Sequence, residues 1–210
     1  MINTLDFYDK NASQFAENTL NVEFDQVQMK FMSLLPDKAY ILDFGCGAGR
    51  DTKAFIDKGF KVDATDGSKK LCEISSRNTG IKVRQMLFEE LSETEKYDGI
   101  WACASILHLP KEKLKIVFNK MIKALKPGGY IYVSFKYGEF EGERNERYFT
   151  DFTFESLAGF MEHFPELNEV EKWKSKDVRP RRENEMWLNV IYIKQKTNNH
   201  PQANMRQYHN

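Results

Sequence analysis

A cluster of glycines directly after a short apolar segment carries the strongest chemical signal in the chain. Residues 39–44 have the sequence AYILDF, and Gly45, Gly47 and Gly49 follow before a helical pattern begins. Glycine is needed where a backbone turns sharply or approaches a ligand closely. Asp43 would project into the same crevice, where a carboxylate suits a ligand with an ammonium group. A purely structural turn is the alternative interpretation of this cluster.

The spacing of the glycines differs from the dinucleotide-binding fingerprint. That fingerprint, GxGxxG, places a pyrophosphate on the N-terminus of the following helix. Here the third glycine comes one residue early, and Arg50 stands where the fingerprint glycine belongs. A nicotinamide-dependent dehydrogenase is therefore disfavoured.

An acidic residue at the end of the next apolar segment supports a nucleoside ligand. Asp66 follows the segment 60–64 and precedes Gly67. In doubly wound folds, an acid at this place accepts hydrogen bonds from ribose hydroxyls. Asp-Gly is also a common turn, so a turn or cap role is the alternative for Asp66. Its coincidence with the glycine cluster favours the ribose role.

With three further motifs, the chain resembles the class I S-adenosylmethionine (SAM)-dependent methyltransferases. The further motifs are YDGI at 97–100, LHL at 107–109 and LKPGG at 125–129. The resemblance covers residues 38–136, and a strand pair within 169–194 fits the family's antiparallel edge. It implies an α/β fold, a three-layer Rossmann-like sheet of seven strands, mostly parallel with an antiparallel C-terminal edge pair.

The resemblance also implies SAM as cofactor and S-adenosylhomocysteine (SAH) as product. Asp43 and the glycine loop would hold the methionine moiety, Asp66 the ribose and residues 87–89 the adenine. Apolar side chains stand at 87 and 88 where many family members carry an Asp, which leaves Glu89 or a backbone carbonyl for the adenine amino group. The cofactor-binding residues expected in this way are Asp43, Gly45, Cys46, Gly47, Gly49, Arg50, Asp66, Gly67, Leu87, Phe88, Cys103 and Tyr8.

Methyl transfer from a sulfonium asks the protein mainly to bind and align the reactants for an in-line displacement. His108 is the candidate general base, because its ordinary pKa lies near neutral and its loop should face the cleft. The alternative is a histidine that packs in the cleft wall and hydrogen-bonds a backbone carbonyl. Cys103 lacks the Pro-Cys context of cytosine-5 methyltransferases, which favours a small buried residue over a nucleophile.

Two polar segments are candidates for acceptor recognition. In residues 136–148, Arg144, Arg147 and Tyr148 could reach an anionic acceptor, unless this is a solvated loop whose glutamates pair with its arginines. Residues 172–182 (KWKSKDVRPRR) combine basic and aromatic side chains, which suggests phosphate or nucleic-acid contact. A solvent-facing charged run is the alternative for that segment.

These residues must be positioned by alternating strands and helices, a pattern that indicates βαβ units and a parallel sheet. We expect one domain over 1–196, with a helical lid at 1–35, a cofactor-binding core at 38–136 and an acceptor side at 137–196. The tail 197–210 is expected to be disordered. The expected strands are at 39–44, 60–64, 81–86, 99–102, 130–135, 169–173 and 186–194, and the expected helices at 50–58, 68–78, 111–125 and 153–163.

Composition narrows the class of protein. The chain has 210 residues, 41% of them hydrophobic and 30% charged, with a net charge of zero. This fits a globular protein and argues against a surface that is basic throughout. Three cysteines without a CxxC pair indicate neither a disulfide framework nor a thiolate zinc site, and no metal is expected.

The N-terminal residues lack an apolar signal-peptide core, and the longest nearly apolar run, 99–109, is too short to span a bilayer. We therefore expect a cytoplasmic protein without membrane contact. The expected acceptor is a small molecule, with tRNA or another nucleic acid as the alternative. A non-catalytic cofactor-binding protein is the alternative from a different class.

Overall fold

Strands and helices alternate along the central part of the chain in the computed structural model, which describes residues 4–179, 182 and 184–196. The predicted disordered tail at 197–210 lies outside the described residues. The helices are α1 (Thr4–Lys10), α2 (Ala12–Thr19), α3 (Asp25–Met32), α4 (Arg50–Asp57), α5 (Lys69–Thr79), α6 (Lys111–Ala124) and α7 (Phe154–Met161). The strands are β1 (Tyr40–Phe44), β2 (Lys61–Asp66), β3 (Arg84–Gln85), β4 (Tyr97–Ala102), β5 (Leu125–Lys136), β6 (Glu141–Arg144), β7 (Arg147–Thr150), β8 (Leu167–Lys176) and β9 (Met186–Lys194).

Seven of these strands form one sheet in the order β3-β2-β1-β4-β5-β9-β8. The strands β1 to β5 pair in parallel, whereas β9 is antiparallel to β5 and β8 is antiparallel to β9. The predicted seven-stranded sheet with an antiparallel C-terminal edge is thereby confirmed. Because the strand order reverses between β1 and β4, a crevice opens at the carboxyl ends of these strands.

The sheet separates two apolar cores, which makes the fold three-layered. Successive residues of a strand point to opposite faces. Ile100 therefore packs with α6 residues such as Phe118 on one face, while Trp101 packs with Phe31 and Phe55 on the other. The fully buried Trp101 ring stacks on Tyr132 with 4.0 Å between ring centroids.

Ser68 and Thr153 are the residues that cap the N-termini of α5 and α7, as their hydroxyl side chains predict. The Ser68 hydroxyl accepts a hydrogen bond from the Leu71 backbone N–H, and Gly80 ends α5 in the left-handed conformation. Thr153 caps α7 through the Ser156 backbone N–H in the same way. The helix α5 that Ser68 begins packs against the loop that follows β1, where Ser75 contacts Cys46.

The structure corrects three details of the sequence interpretation. The third strand is only Arg84–Gln85, and the Pro127-Gly128 turn lies inside β5, where the register to β4 shifts. The N-terminal segment, for which the sequence predicts one or two helices, forms three.

The predicted loop at 136–148 instead contains most of the hairpin β6–β7. Its two turn residues, Asn145 and Glu146, both have positive φ (50° and 59°), as a type I′ hairpin turn requires. Asn at the first turn position was the available signal for this hairpin.

The part of the chain that the structure describes has neither a membrane-spanning helix nor a cluster of metal-binding side chains. Within residues 4–179, 182 and 184–196, no helix has the length and apolar character needed to cross a bilayer. The same residues contain no group of three or more His, Cys, Asp or Glu side chains arranged to hold a metal ion.

Candidate functional site

The glycine loop turns sharply from β1 towards α4. Gly45, Gly47 and Gly49 have φ values of 86°, 56° and 91°, a region that other residues enter only with strain. The backbone N–H groups of Gly45 and Cys46 both donate to the Thr65 carbonyl at 2.9 Å, which ties the loop to the end of β2. The loop therefore lies in the crevice at the carboxyl edge of the sheet.

Asp66 joins the glycine loop at the last position of β2. Its Oδ2 accepts the Gly47 N–H at 2.9 Å, and its Oδ1 accepts the Ser68 N–H at 2.9 Å. Burial raises the pKa of Asp66 to about 6, although the two backbone hydrogen bonds oppose that shift. An ionised carboxylate has about four lone-pair sites, so acceptor capacity for further hydrogen bonds remains.

An ion pair at the start of α4 lines the crevice beside the loop. Arg50 binds the Asp51 carboxylate through Nε at 2.7 Å and Nη2 at 2.9 Å. The same carboxylate accepts hydrogen bonds from the indole of Trp101 (2.8 Å) and the amide of Gln28 (2.7 Å). Sequence interpretation missed Asp51, although its place next to Arg50 at a helix start was a signal.

Asp43 lies behind the loop and does not line the crevice. It is 2% exposed, and its carboxylate accepts a hydrogen bond from the Thr52 hydroxyl. Burial and then the charge of Asp51 raise the pKa of Asp43. Burial acts in the same direction on Asp51, but Arg50 and the other donors hold its pKa low. The charge of this buried pair thus resides on Asp51.

The N-terminal helices cover the glycine loop. A Cβ placed on Gly47 would lie 3.0 Å from the Phe15 ring, and one on Gly67 would lie 2.6 Å from Leu5. Tyr8 and Phe15 stack edge to face with 5.3 Å between ring centroids. A hydrogen bond also attaches the N-terminal helices to the start of α5, because the Ser68 hydroxyl donates to Asp9 of α1.

The opposite wall of the crevice is formed by the turn after β3. Leu87, Phe88 and Glu89 line it, and the Phe88 ring packs against Phe44 with 4.8 Å between centroids. The Glu89 carboxylate is engaged by Lys113 of α6 at 2.9 Å. Apolar surface therefore dominates this wall.

The crevice continues into a cavity of about 1120 Å³ that reaches the hairpin β6–β7. This volume exceeds the roughly 300–1,000 Å³ typical of a small-molecule site, so two small molecules could occupy it side by side. Of the sequence-predicted residues, Asp43 and Gly49 do not line the cavity. Those that do are Tyr8, Gly45, Cys46, Gly47, Arg50, Asp66, Gly67, Leu87, Phe88, Cys103, His108, Arg144, Arg147 and Tyr148.

Comparison with known proteins agrees with the geometry. Residues 41–129, from β1 to the start of β5, match a family model described as a methyltransferase domain. These residues thus match a methyltransferase domain, and the sheet has the class I, Rossmann-like methyltransferase fold. The family match includes the glycine loop, Asp66 and the loop that carries His108.

Two curated relatives of this chain also bear methyltransferase names. YqeM of Bacillus subtilis (strain 168) is 27% identical over 143 residues, which are 63% of this chain and 58% of YqeM. The ubiquinone biosynthesis O-methyltransferase of Rickettsia conorii is 28% identical over 120 residues, which are 55% of this chain and 39% of that protein. The chain thus spans about half the length of the curated relatives that it matches.

A solved structure shows the same fold. It is the 1,6-didemethyltoxoflavin-N1-methyltransferase of Burkholderia thailandensis with 1,6-didemethyltoxoflavin and SAH bound. The TM-score is 0.69 at 18% identity, and the match covers 93% of this chain and 92% of that one. At this identity the likeness establishes the fold alone.

Within the cavity, His108 connects the hairpin to the N-terminal helices. Its Nδ1 lies 2.7 Å from the Tyr148 carbonyl oxygen, and its Nε2 lies 2.8 Å from the Tyr8 hydroxyl. A carbonyl only accepts, so Nδ1 carries the proton and Nε2 accepts from Tyr8. Burial lowers the pKa of His108 to about 4, so the ring is neutral at pH 7. This is the geometry of the cleft-wall alternative, and the role as general base stays a prediction.

Cys103 lies in the cavity just after β4. Its Sγ is 4.0 Å from Nη2 of Arg50 and 3.9 Å from the Ser134 hydroxyl. Burial raises the pKa of the Cys103 thiol to about 12. Only the thiolate is strongly nucleophilic, so this environment favours the small buried residue over the nucleophile.

The arginines of the hairpin have other partners than the glutamates that the sequence suggested. Arg144 forms a bidentate pair with Asp151, with both N–O distances 2.7 Å, rather than pairing with the hairpin's own glutamates. Glu141 instead binds Lys111 and accepts from the Tyr148 hydroxyl at 3.2 Å. Arg147 lies over the rings of Phe7, Tyr8 and Phe149.

The basic segment 172–182 is divided between the edge strand β8 and the connection that follows it. Lys172 pairs with Glu169, Lys174 lies over the Tyr137 ring, and Arg179 pairs with Asp177. Each of these three cations has a partner, and the carboxylates beside Lys172 and Arg179 reduce the positive field that a nucleic acid would meet.

Proposed function

We propose that this methyltransferase transfers a methyl group from SAM to a small-molecule acceptor by in-line displacement. The observation that carries the proposal is the convergence of the glycine loop and the buried Asp66 carboxylate at one end of an enlarged cavity. The SAH bound to the Burkholderia thailandensis enzyme of the same fold supports the choice of cofactor. SAM supplies the activation, because its methyl group is carried on a sulfonium.

The residues present fit this cofactor. Asp66 has unused acceptor capacity for ribose hydroxyls, and the wall formed by Leu87 and Phe88 offers apolar contact to an adenine. Arg50 keeps guanidinium donors beyond its two bonds to Asp51, and these match the carboxylate of an amino acid. The Asp51 carboxylate already accepts four hydrogen bonds, so it would act on the ammonium group through its charge. Asp43 would act from behind the loop through its charge and its bond to Thr52.

The remaining contribution of the chain is alignment and exclusion of water. The covering helices α1 and α2 fit the role of a lid, since Tyr8 and Phe15 close over the loop from above. A positively charged reaction centre gains from a site of fixed dipoles that excludes solvent. The domain limits proposed with this role are the lid at 1–35, the core at 38–136 and the acceptor side at 137–196.

His108 remains our candidate base, acting through Tyr8. The Tyr8 hydroxyl donates to Nε2, so a proton from an acceptor would pass to the Tyr8 oxygen as the phenol proton moves to His108. With a pKa near 4, the imidazole is a weak base. It suits an acceptor whose proton becomes acidic only as the methyl group arrives, as in amine methylation.

Two observations support a small-molecule acceptor over a nucleic acid. The cavity is lined on several sides by the lid, the hairpin and the β8–β9 connection. In segment 172–182, partners within the chain engage Lys172, Lys174 and Arg179. The names of the Rickettsia conorii and Burkholderia thailandensis relatives also refer to small molecules.

Binding of SAH tests the cofactor directly. Calorimetric titration of the full chain with SAH should give saturable binding in the micromolar range. NAD is the matched control, because it shares the adenosine moiety but carries a pyrophosphate that the loop with Arg50 should not accept. Absence of SAH binding, or equal binding of NAD, would overturn the proposal.

The affinity for SAH should depend on pH through Asp66. Ribose hydroxyls donate to the charged carboxylate, whereas in the ligand-free protein this group takes up a proton below about pH 6. Binding must then release that proton, so the affinity should fall as the pH drops below about 6, by up to about tenfold per unit. Titrations between about pH 5 and 8 check this. The Asp66→Asn variant, which has no proton to release there, should lose this component, and an unchanged profile would contradict it.

A further inference from the structure

A second cavity adjoins the first between the lid helices and the β8–β9 connection. Its volume is about 1010 Å³, and we call it the vestibule. The two cavities share the residues Phe15, Thr19, Arg147, Val178, Arg179 and Arg182. The vestibule is thus a route from the surface to the acceptor side of the cleft, and three arginines stand at the junction.

Two of these three arginines are paired with carboxylates of the chain. Arg179 binds Asp177 through Nε at 2.9 Å and Nη2 at 2.5 Å, and Arg182 lies 3.5 Å from Glu185. The strength of the first pair is reflected in the pKa of Asp177, which is held far below its usual range despite burial. Both cations are therefore engaged within the chain, by carboxylates that Lys136 also contacts.

Arg147 differs from both. Among residues 4–179, 182 and 184–196, no aspartate or glutamate oxygen lies within 4.0 Å of a guanidinium nitrogen of Arg147, the limit for an ion pair. Its hydrogen bonds are long, at 3.5 Å from Nη1 to the Tyr8 hydroxyl and 3.4 Å from Nε to the Asn145 carbonyl. Nη2 has no hydrogen-bond partner within the described part of the chain. The guanidinium therefore retains donors and a full charge.

Aromatic rings determine which part of Arg147 a ligand can reach. The guanidinium carbon lies 4.4 Å from the Phe7 ring centroid and 5.1 Å from that of Phe149. Rings against a guanidinium displace water and leave its N–H edge for in-plane contact. That edge matches the geometry of a carboxylate or a phosphate.

Arg147 is also connected to the predicted chemistry. Its Nη1 contacts the Tyr8 hydroxyl, which in turn donates to His108 Nε2. An anionic group held by Arg147 would therefore place the rest of a small acceptor beside the His108–Tyr8 pair.

We propose that the acceptor is a small anion, carrying a carboxylate or phosphate, and that Arg147 is the residue that selects it. This inference rests on the proposed function, because it names the substrate class of the same site. It separates Arg147 from Arg144, whose bidentate bond to Asp151 makes it a structural cation of the hairpin.

The test compares benzoate with benzamide, an uncharged molecule of the same shape, on protein saturated with SAH. Ligand-observed NMR titration should show benzoate binding at least tenfold more tightly than benzamide. Arg147→Gln should remove that preference, whereas Arg84→Gln, at an exposed arginine paired with Glu93 away from the cavity, should retain it. Phenyl phosphate is the third probe, and its ratio to benzoate tells which anion the site prefers.

Several results would overturn the inference. One is a wild-type protein that binds benzamide as tightly as benzoate, and another is an Arg147→Gln variant that keeps the preference. Arg147→Lys retains the charge without the planar fork and should keep a reduced preference, which provides the readout if the glutamine variant does not fold. If SAH itself does not bind, the proposed function fails first, and the same benzoate comparison without SAH still tests Arg147 separately.

Discussion

Asp66→Ala should weaken SAH binding by about 10- to 100-fold. A hydrogen bond to a charged group contributes about 1.5–3 kcal/mol, and each 1.4 kcal/mol changes the affinity tenfold. Alanine removes the proposed acceptor of the ribose hydroxyls. It also removes the carboxylate that holds the Gly47 N–H at 2.9 Å, so the glycine loop loses an anchor at the same time.

Calorimetric titration of both proteins measures this loss, and urea unfolding shows whether the variant remains folded. Asp63→Ala is the matched control. Asp63 lies on the same strand, but its carboxylate binds Lys96, Tyr40 and Tyr97 away from the cavity. We expect it to cost stability and to leave SAH affinity near the wild-type value. Equal affinity of wild type and Asp66→Ala would refute the ribose role.

Gly45→Ala should destabilise the protein and abolish SAH binding. Gly59→Ala should destabilise the protein less and should still bind SAH. Both glycines have φ of 86°, so alanine meets the same backbone strain of about 1–2 kcal/mol at either position. A Cβ on Gly45 would lie 2.4 Å from the Ser105 Cβ, whereas one on Gly59 has no atom within 4 Å. Overpacking of this kind adds about 1–3 kcal/mol.

The pair therefore separates strain from crowding. Urea unfolding should give a free energy for Gly45→Ala that is lower by about 1–3 kcal/mol than that of Gly59→Ala. Titration should show binding in the Gly59 variant only, because the clash displaces the glycine loop from the loop after β4. Similar unfolding free energies for the two variants would contradict the crowding argument.

Local patterns were sufficient for most of the framework. The Ser68 cap and the alternation of apolar segments placed the central helices and strands close to their observed limits, because caps and periodicity act within a few residues. The hairpin β6–β7 was missed because its strands are short and highly charged. Its two turn residues, Asn145 and Glu146, have positive φ, and of these only the asparagine was a signal in the sequence.

Local patterns were less informative about the environment of each site residue. The sequence placed Asp43 in the crevice, but Thr52 holds it behind the loop, and the crevice is lined by Asp51 instead. Which of two neighbouring carboxylates faces a cavity depends on donors from other elements. Here they are Trp101 from β4 and Gln28 from α3.

By itself, the sequence determined the methyltransferase fold, the glycine loop and the place of Asp66 at the end of β2. Each of these follows from residues that are close together in the chain or from the order of its motifs. Only the tertiary structure decided the partners of His108, which include Tyr8 from a position 100 residues away. It also decided that Arg144 is paired, whereas Arg147 has no carboxylate partner among the residues that the structure describes. Charge pairing and burial depend on contacts between distant segments, and no local pattern specifies those contacts.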